Sequence, residues 1–246
     1  MTIPQPANTS KAGASAQAAY RTRLDATRTR RWTIRAALSL LAGVVVWWLL
    51  GWQAALVTAA AVAATDFLHH WRRHSSTTAW RKGAAGERAT ARRLRSLELA
   101  GYTVLHDRAV PRSRANIDHL VIGPTGVFVV DSKKWDRRTT IRSGGGALWV
   151  GRTPIDKITR SVAFEARAVS EALRYAMGRP VDVVTVIAVH GARMPRWGAI
   201  NAGGTTLLRA SRLRGWIARH PRQYTADQVA TFAAAAEQAL PAYVPK

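Results

Sequence analysis

No charged side chain occurs between Arg35 and Asp66. An uncharged run of about 30 positions exceeds the roughly 20 that a helix needs to cross a bilayer, so the run predicts contact with lipid. As one straight helix it would measure about 45 Å against a hydrocarbon core of about 30 Å. It would also carry Trp47, Trp48 and Trp52 near the midplane, whereas Trp favours the headgroup interface. Gly51-Trp52-Gln53 offers a turn. The expectation is a transmembrane helical hairpin over 31–72, with arms Trp32–Leu50 and Gln53–Trp71. Arg28, Arg30, Arg31 and Arg35 precede it, and Arg72, Arg73, Arg81 and Lys82 follow it. Positive flanks stay in the cytoplasm. The chain is therefore expected to be a multi-pass protein of the inner cell membrane, in contact with lipid through residues 32–71, with its soluble part and both termini cytoplasmic. A cleaved signal peptide, using the small residues Ala59–Ala64, is disfavoured by the basic block that follows. A buried helical hairpin is disfavoured by the length of the run. Residues 1–30, rich in Ala, Ser, Gln and Pro before turning basic, read as a disordered tail. His69, His70 and His74 lie beside Trp71 and two arginines with no carboxylate at ligand spacing, and read as interface residues rather than a metal site.

Lys and Arg number 37 against 14 Asp and Glu, a net charge of +23 that attracts phosphate backbones and anionic headgroups alike. Because 31 of the 37 cations are Arg in an Ala-rich chain, compositional bias explains part of the excess, and charge alone does not select a partner. The absence of cysteine excludes disulfides, thiol catalysis and Cys-ligated zinc.

From Gly83 the pattern changes. A helix carrying Leu94, Leu97 and Leu99 runs to about Ala100, where Gly101 can end it. Strands follow at Tyr102–His106, Ile117–Ile122 and Val127–Asp131, the last two joined by the turn-formers Gly123-Pro124-Thr125-Gly126. A weaker pair, Thr139–Arg142 and Ala147–Val150, flanks Gly144-Gly145-Gly146, a loop that no P-loop lysine follows. Then come an amphipathic helix from Arg160 to Met177 and a strong strand from Val181 to Val189. A short strand Thr205–Leu208 and helices at Ser211–His220 and Ala226–Leu240 complete the chain. The core order is α-β-β-β-α-β, an α/β mixed sheet flanked by helices, preceded by the hairpin. The soluble part divides into a core over 79–180 and a C-terminal strand with helices over 181–246.

Asp131 and Lys133 lie two apart on one strand and so share a face. If the hairpin before them is symmetric about Pro124 and Thr125, residues whose numbers sum to 249 pair across it, which places Asp118 opposite Asp131. Two carboxylates in that relation stand about 5 Å apart and repel. A divalent Mg²⁺ or Mn²⁺ relieves the repulsion, because hard cations take carboxylate oxygens together with water and phosphate. Lys133 can orient or help deprotonate an attacking water and offset charge developing on a phosphate, or it can simply neutralise the two aspartates.

Gly83-Ala84-Ala85-Gly86-Glu87 at a helix start, with Asn116-Ile117-Asp118-His119-Leu120-Val121-Ile122-Gly123-Pro124-Thr125-Gly126-Val127-Phe128-Val129-Val130-Asp131-Ser132-Lys133-Lys134-Trp135, resembles the nuclease-related domain (NERD) family over about Lys82 to Leu173. That family is similar in fold to the PD-(D/E)xK restriction endonucleases, whose core order is the one read above. The resemblance implies that Asp118 and Asp131 bind metal, that Lys133 is the catalytic lysine, and that Glu87 completes the metal site. His119 faces away from Asp118, and Trp135 reads as a lid on the core. The second helix departs from the family pattern, with Ser161-Val162 in place of Asn-Pro and Glu165 in place of Gln. The expected function is a membrane-anchored, metal-dependent nuclease acting on DNA, ahead of RNA. The alternative is an inactive NERD module that binds nucleic acid or a protein.

Overall fold

The computed structural model describes residues 28–144, 147–195 and 198–244. The chain divides into two compact units, one reaching to Arg81 and the other beginning at Lys82. The first described helix, α1 (Arg28–Glu98), runs for 71 residues, and Gly51 (φ 82, ψ 173) is its only departure from helical geometry. That break falls at the turn expected from the sequence. The basic tail expected over 1–30 lies outside the described residues up to residue 27.

Among the described residues no helix is long and apolar enough to cross a membrane. This overturns the transmembrane hairpin over 31–72, the lipid contact through 32–71, and the multi-pass placement in the inner membrane with cytoplasmic termini. The physical reason is that uncharged is not the same as apolar. Between Gly51 and Thr65 the large aliphatic side chains are only Leu56, Val57 and Val62. The rest is chiefly alanine with Gln53, Thr58 and Thr65, which bring little transfer free energy. The Thr58 and Thr65 hydroxyls donate back to the carbonyls of Ala54 and Ala61, each at 2.8 Å. Nor does the helix stop at Trp71; it continues through Arg72, Arg73, Arg81 and Lys82 to Glu98.

The second unit is a two-sided α/β layer. Its sheet has the order β1-β2-β3-β7-β9-β8, built from β1 (Thr103–Ala109), β2 (Asn116–Gly123), β3 (Gly126–Lys134), β7 (Val183–His190), β8 (Ala199–Ala202) and β9 (Thr205–Arg209). The pairs β1/β2, β2/β3 and β8/β9 are antiparallel, while β3/β7 and β7/β9 are parallel. The parallel β3/β7 pair needs a crossover, which α2 (Asp156–Met177) provides. A small separate sheet, β4 (Ile141–Gly144), β5 (Ala147–Val150) and β6 (Thr153–Pro154), is inserted before that helix. Gly145 and Gly146 of its expected glycine loop lie outside the described residues. After β9 come a 3-10 turn (Ala210–Arg212), α3 (Leu213–Ala218) and α4 (Ala226–Ala239).

Alternation along the strands gives two cores. Leu120, Ile122, Val127, Val129, Ile187 and Leu207 face α2 and α4, packing with Val162, Val169, Leu173 and Phe232. Val121, Phe128, Val130, Val186 and Leu208 face the opposite way, packing with Leu94 and Leu97 of α1 and with Leu213 and Ile217 of α3. The second face explains why the last turns of α1 are helical: their leucines recur at helical spacing and are fully buried. Pairing across β2 and β3 follows the expected symmetry, with His119 opposite Val130 and Gly123 opposite Gly126. Carried one step further, the same register sets Asp118 opposite Asp131. The expected strands and helices all have counterparts here, and β6 and β8 are additions. The segment 181–246, expected to complete the domain, supplies β7, a central strand of the sheet.

Candidate active site

Lys133 stands one residue before the end of β3, and its Nζ donates to Asp131 Oδ1 at 2.8 Å. Asp131 is 4% exposed, and its Oδ2 has no partner. Asp118 on β2 is held from the next residue of β3, where the Ser132 backbone N–H donates to its Oδ2 at 2.8 Å. Glu165 of α2 is buried on the same face of the sheet as Asp131. Glu87 reaches the group from α1, the helix of the other face. The sequence suggests that Glu87 lies in a first helical turn, but the structure has it well inside α1. Gly86 eases the approach: a Cβ there would stand 3.0 Å from the Lys134 Cβ, a tight contact that glycine avoids.

The electrostatics are those of crowded acids around one base. Burial, then the charges of Asp107 and Asp131, raise Glu87 to about 7. Burial, then Asp131, raise Glu165 to about 8. Asp118 is pushed well above the usual carboxylate range by burial, then by Asp131 and Glu87. Burial pulls the Lys133 ammonium the other way, but Asp131 and Asp118 outweigh it and hold the amine charged. Lys133 is thus an ammonium in this arrangement and not a ready base.

All four site residues named from the sequence, Glu87, Asp118, Asp131 and Lys133, come together, and Glu165 joins them. Asp107 was missed. It lies between two paired positions of β1, His106 opposite His119 and Arg108 opposite Ile117, and so falls beside Asp118. It is 1% exposed, has a left-handed backbone (φ 53), and accepts from Asn116 Nδ2 at 3.0 Å. The expected strand Tyr102–His106 stops one residue short of it. Extending the alternation by a single residue would have found it. His119 faces away from Asp118, as expected, and Trp135 packs against the α2 core as a lid.

Among the described residues no group of three or more His, Cys, Asp or Glu side chains is arranged to hold a metal ion. The donor chemistry nevertheless fits a hard divalent cation. The available ligands are oxygens, their ionised forms are disfavoured by one another, and one buried carboxylate oxygen lacks a partner. The Lys133 ammonium occupies the other oxygen of that carboxylate.

The chain resembles an uncharacterized protein of Bacillus anthracis, at 43% identity over 58 residues, which is 22% of this chain and 27% of that protein. It thus spans about a quarter of the length of the curated relative it matches. No solved structure matches it. With the mixed sheet and the acidic group around Lys133 in place, the match to a family model is informative: residues 82–190 match the model of the nuclease-related domain (NERD).

Proposed function

We propose that the chain is a metal-dependent nuclease that hydrolyses phosphodiester bonds of DNA, or of RNA as the second choice, at the group formed by Glu87, Asp118, Asp131, Lys133 and Glu165. The observation that carries this reading is the gathering of four mutually repelling carboxyls around one ammonium, with Asp131 Oδ2 unpartnered. A structural ion pair needs one acid per base, whereas this arrangement has acid to spare. Asp118, Asp131 and Glu87 would hold Mg²⁺ or Mn²⁺, with Glu165 beside them. The ion would polarise the phosphate and lower the pKa of the attacking water. Lys133, kept charged by its neighbours, donates to phosphate oxygens as negative charge develops on them. The aspartates aim that ammonium, and the buried walls of the sheet limit competing water.

A cavity on the opposite face of the sheet from Asp131, where Leu208 and Trp216 pack, is a second candidate contact for a nucleic-acid strand. Register places Lys133 beside Val189 and Val189 beside Arg209. Two residues further on, Ser211, Arg212, Gly215, Trp216 and Arg219 line a cavity of about 570 Å³ with no acidic side chain among its described lining. Its guanidinium groups meet phosphates, and a half-buried indole offers a surface for a base. Replacing Arg212 and Arg219 together by alanine is expected to weaken oligonucleotide binding and to reduce the slope of log K against log salt by about 2, one unit for each lost phosphate contact. An unchanged slope would remove this cavity from the interface.

The test of the function is incubation of the purified chain with plasmid and single-stranded substrates, with Mn²⁺, with Mg²⁺ and with chelator. Cleavage that requires the divalent ion supports a nuclease. Salt-sensitive binding by the folded chain without cleavage of any substrate would instead identify a NERD module that binds nucleic acid and does not cut.

A further inference from the structure

Behind the acidic group, on the α1 face of the sheet, lies a continuous chain of hydrogen bonds whose two middle links are buried. His106 Nδ1 and His119 Nδ1 are 2.8 Å apart. His119 Nε2 lies 3.1 Å from Ser132 Oγ. Ser132 Oγ donates to Thr90 Oγ1 at 2.9 Å, and Thr90 Oγ1 lies 2.8 Å from His190 Nε2. Thr90 and His119 are fully buried, and Ser132 is 6% exposed.

The polarity of this chain follows from counting protons. A hydroxyl has one hydrogen. Ser132 spends its hydrogen on Thr90 and therefore accepts from His119 Nε2–H. A neutral His119 then has a bare Nδ1, which accepts from His106 Nδ1–H. Thr90 still holds its own hydrogen and completes the direction by donating to His190 Nε2 in the tautomer that leaves this nitrogen bare. Burial keeps His119 and His190 neutral, as this scheme requires. Four bonds in one direction satisfy every polar atom the chain uses, and such fully satisfied networks hold buried elements in one arrangement.

The two hydroxyls at the middle of the chain stand next to the site. Ser132 lies between Asp131 and Lys133, and its backbone N–H holds Asp118. Thr90 is three residues beyond Glu87 on α1, so the two lie on one side of that helix. We propose that Thr90 and Ser132 are positioning residues that clamp the helix bearing Glu87 to the strand bearing Asp131 and Lys133, with His119 and His190 bracing the clamp from either side. The proposal rests on the nuclease reading for its purpose and on the hydrogen bonds alone for its existence.

The experiment compares the full chain with Thr90→Val, which keeps the shape and removes the hydroxyl, and with Thr90→Ser, which restores the hydroxyl. In Thr90→Val, amide hydrogen exchange over Gly86–Thr90 is expected to rise about tenfold as this stretch opens more readily. Mn²⁺ affinity and kcat are each expected to fall about 10- to 100-fold, with KM nearly constant, as for lost partners of metal-site residues. Thr90→Ser is expected to recover all three. Unchanged exchange in a folded Thr90→Val chain overturns the clamp. Raised exchange with wild-type Mn²⁺ affinity and kcat overturns its positioning role, as does a Thr90→Ser chain that recovers nothing. A wild-type chain that neither binds Mn²⁺ nor cuts sinks the nuclease reading by itself, and the exchange data then decide the clamp alone.

Discussion

Replacing Lys133 by alanine is expected to slow cleavage about 10³-fold, the cost of removing a preorganised donor from the point where charge develops in a transition state. Binding of Mn²⁺ is expected to hold or tighten at the same time. Lys133 Nζ sits 2.8 Å from Asp131 Oδ1 and is the cation that the carboxyls now share. Its removal takes away a competing positive charge and leaves the acids to the metal. This opposite movement of rate and affinity separates a catalytic ammonium from a neutralising one. Single-turnover cleavage and Mn²⁺ titration of the folded variant measure the two quantities, and an unchanged rate would reduce Lys133 to a surface ion pair.

The second large effect concerns stability without metal. Glu165 and Glu87 are raised from an ordinary 4.5 to about 8 and about 7. A carboxyl whose pKa is higher in the folded state binds more protons there, so its stabilising contribution is complete below 4.5 and is lost as pH rises through the folded value. The buried histidines act in the opposite sense. His190 is lowered from 6.5 to about 4, and His119 and His106 are also lowered, so each adds stability as pH climbs to 6.5 and no more beyond it. The histidines offset the raised acids, Asp118 among them, up to pH 6.5 and no further, so the metal-free chain is expected to lose several degrees of Tm between pH 6.5 and pH 8. Glu165→Gln removes part of that loss, on the order of 2 kcal/mol at pH 8, while impairing the site. Thermal unfolding in chelator at pH 6.5 and 8 measures both effects. A Tm that rises between those values would contradict the crowding of acids, and saturating Mn²⁺ should flatten the dependence in the wild-type chain.

Much of the core was legible in the sequence because its signals are local. Val127–Val130 and Ile117–Ile122 alternate between two buried faces, and the turn Gly123-Pro124-Thr125-Gly126 sets a register in which each β2 residue has one partner on β3. That register brought Asp118 and Asp131 together from sequence numbers alone. The Thr90 and Ser132 hydroxyls were not legible, because a hydroxyl in a helix and another in a strand carry no periodic signal; only the docking of α1 on the sheet makes them partners, 42 residues apart. Asp107 escaped for a related reason. Its left-handed backbone interrupts the apolar alternation at which the expected strand was ended. The membrane hairpin failed on chemistry rather than geometry. The break at Gly51 is present, but counting missing charges treated Ala, Thr and Gln as though they were Leu and Val.

The site draws Glu87 from a helix on one face of the sheet and Glu165 from a helix on the other, with Asp131 and Lys133 on a strand between them. As the chain is synthesised, Glu87 emerges first, the strand follows, and Glu165 appears only once the crossover helix has been made. No half of the domain contains all of these side chains, and neither face can assemble the group without the other. For the proposed nuclease, cleavage is therefore tied to completion of both layers, and a nascent copy is expected to leave the nucleic acid around it uncut.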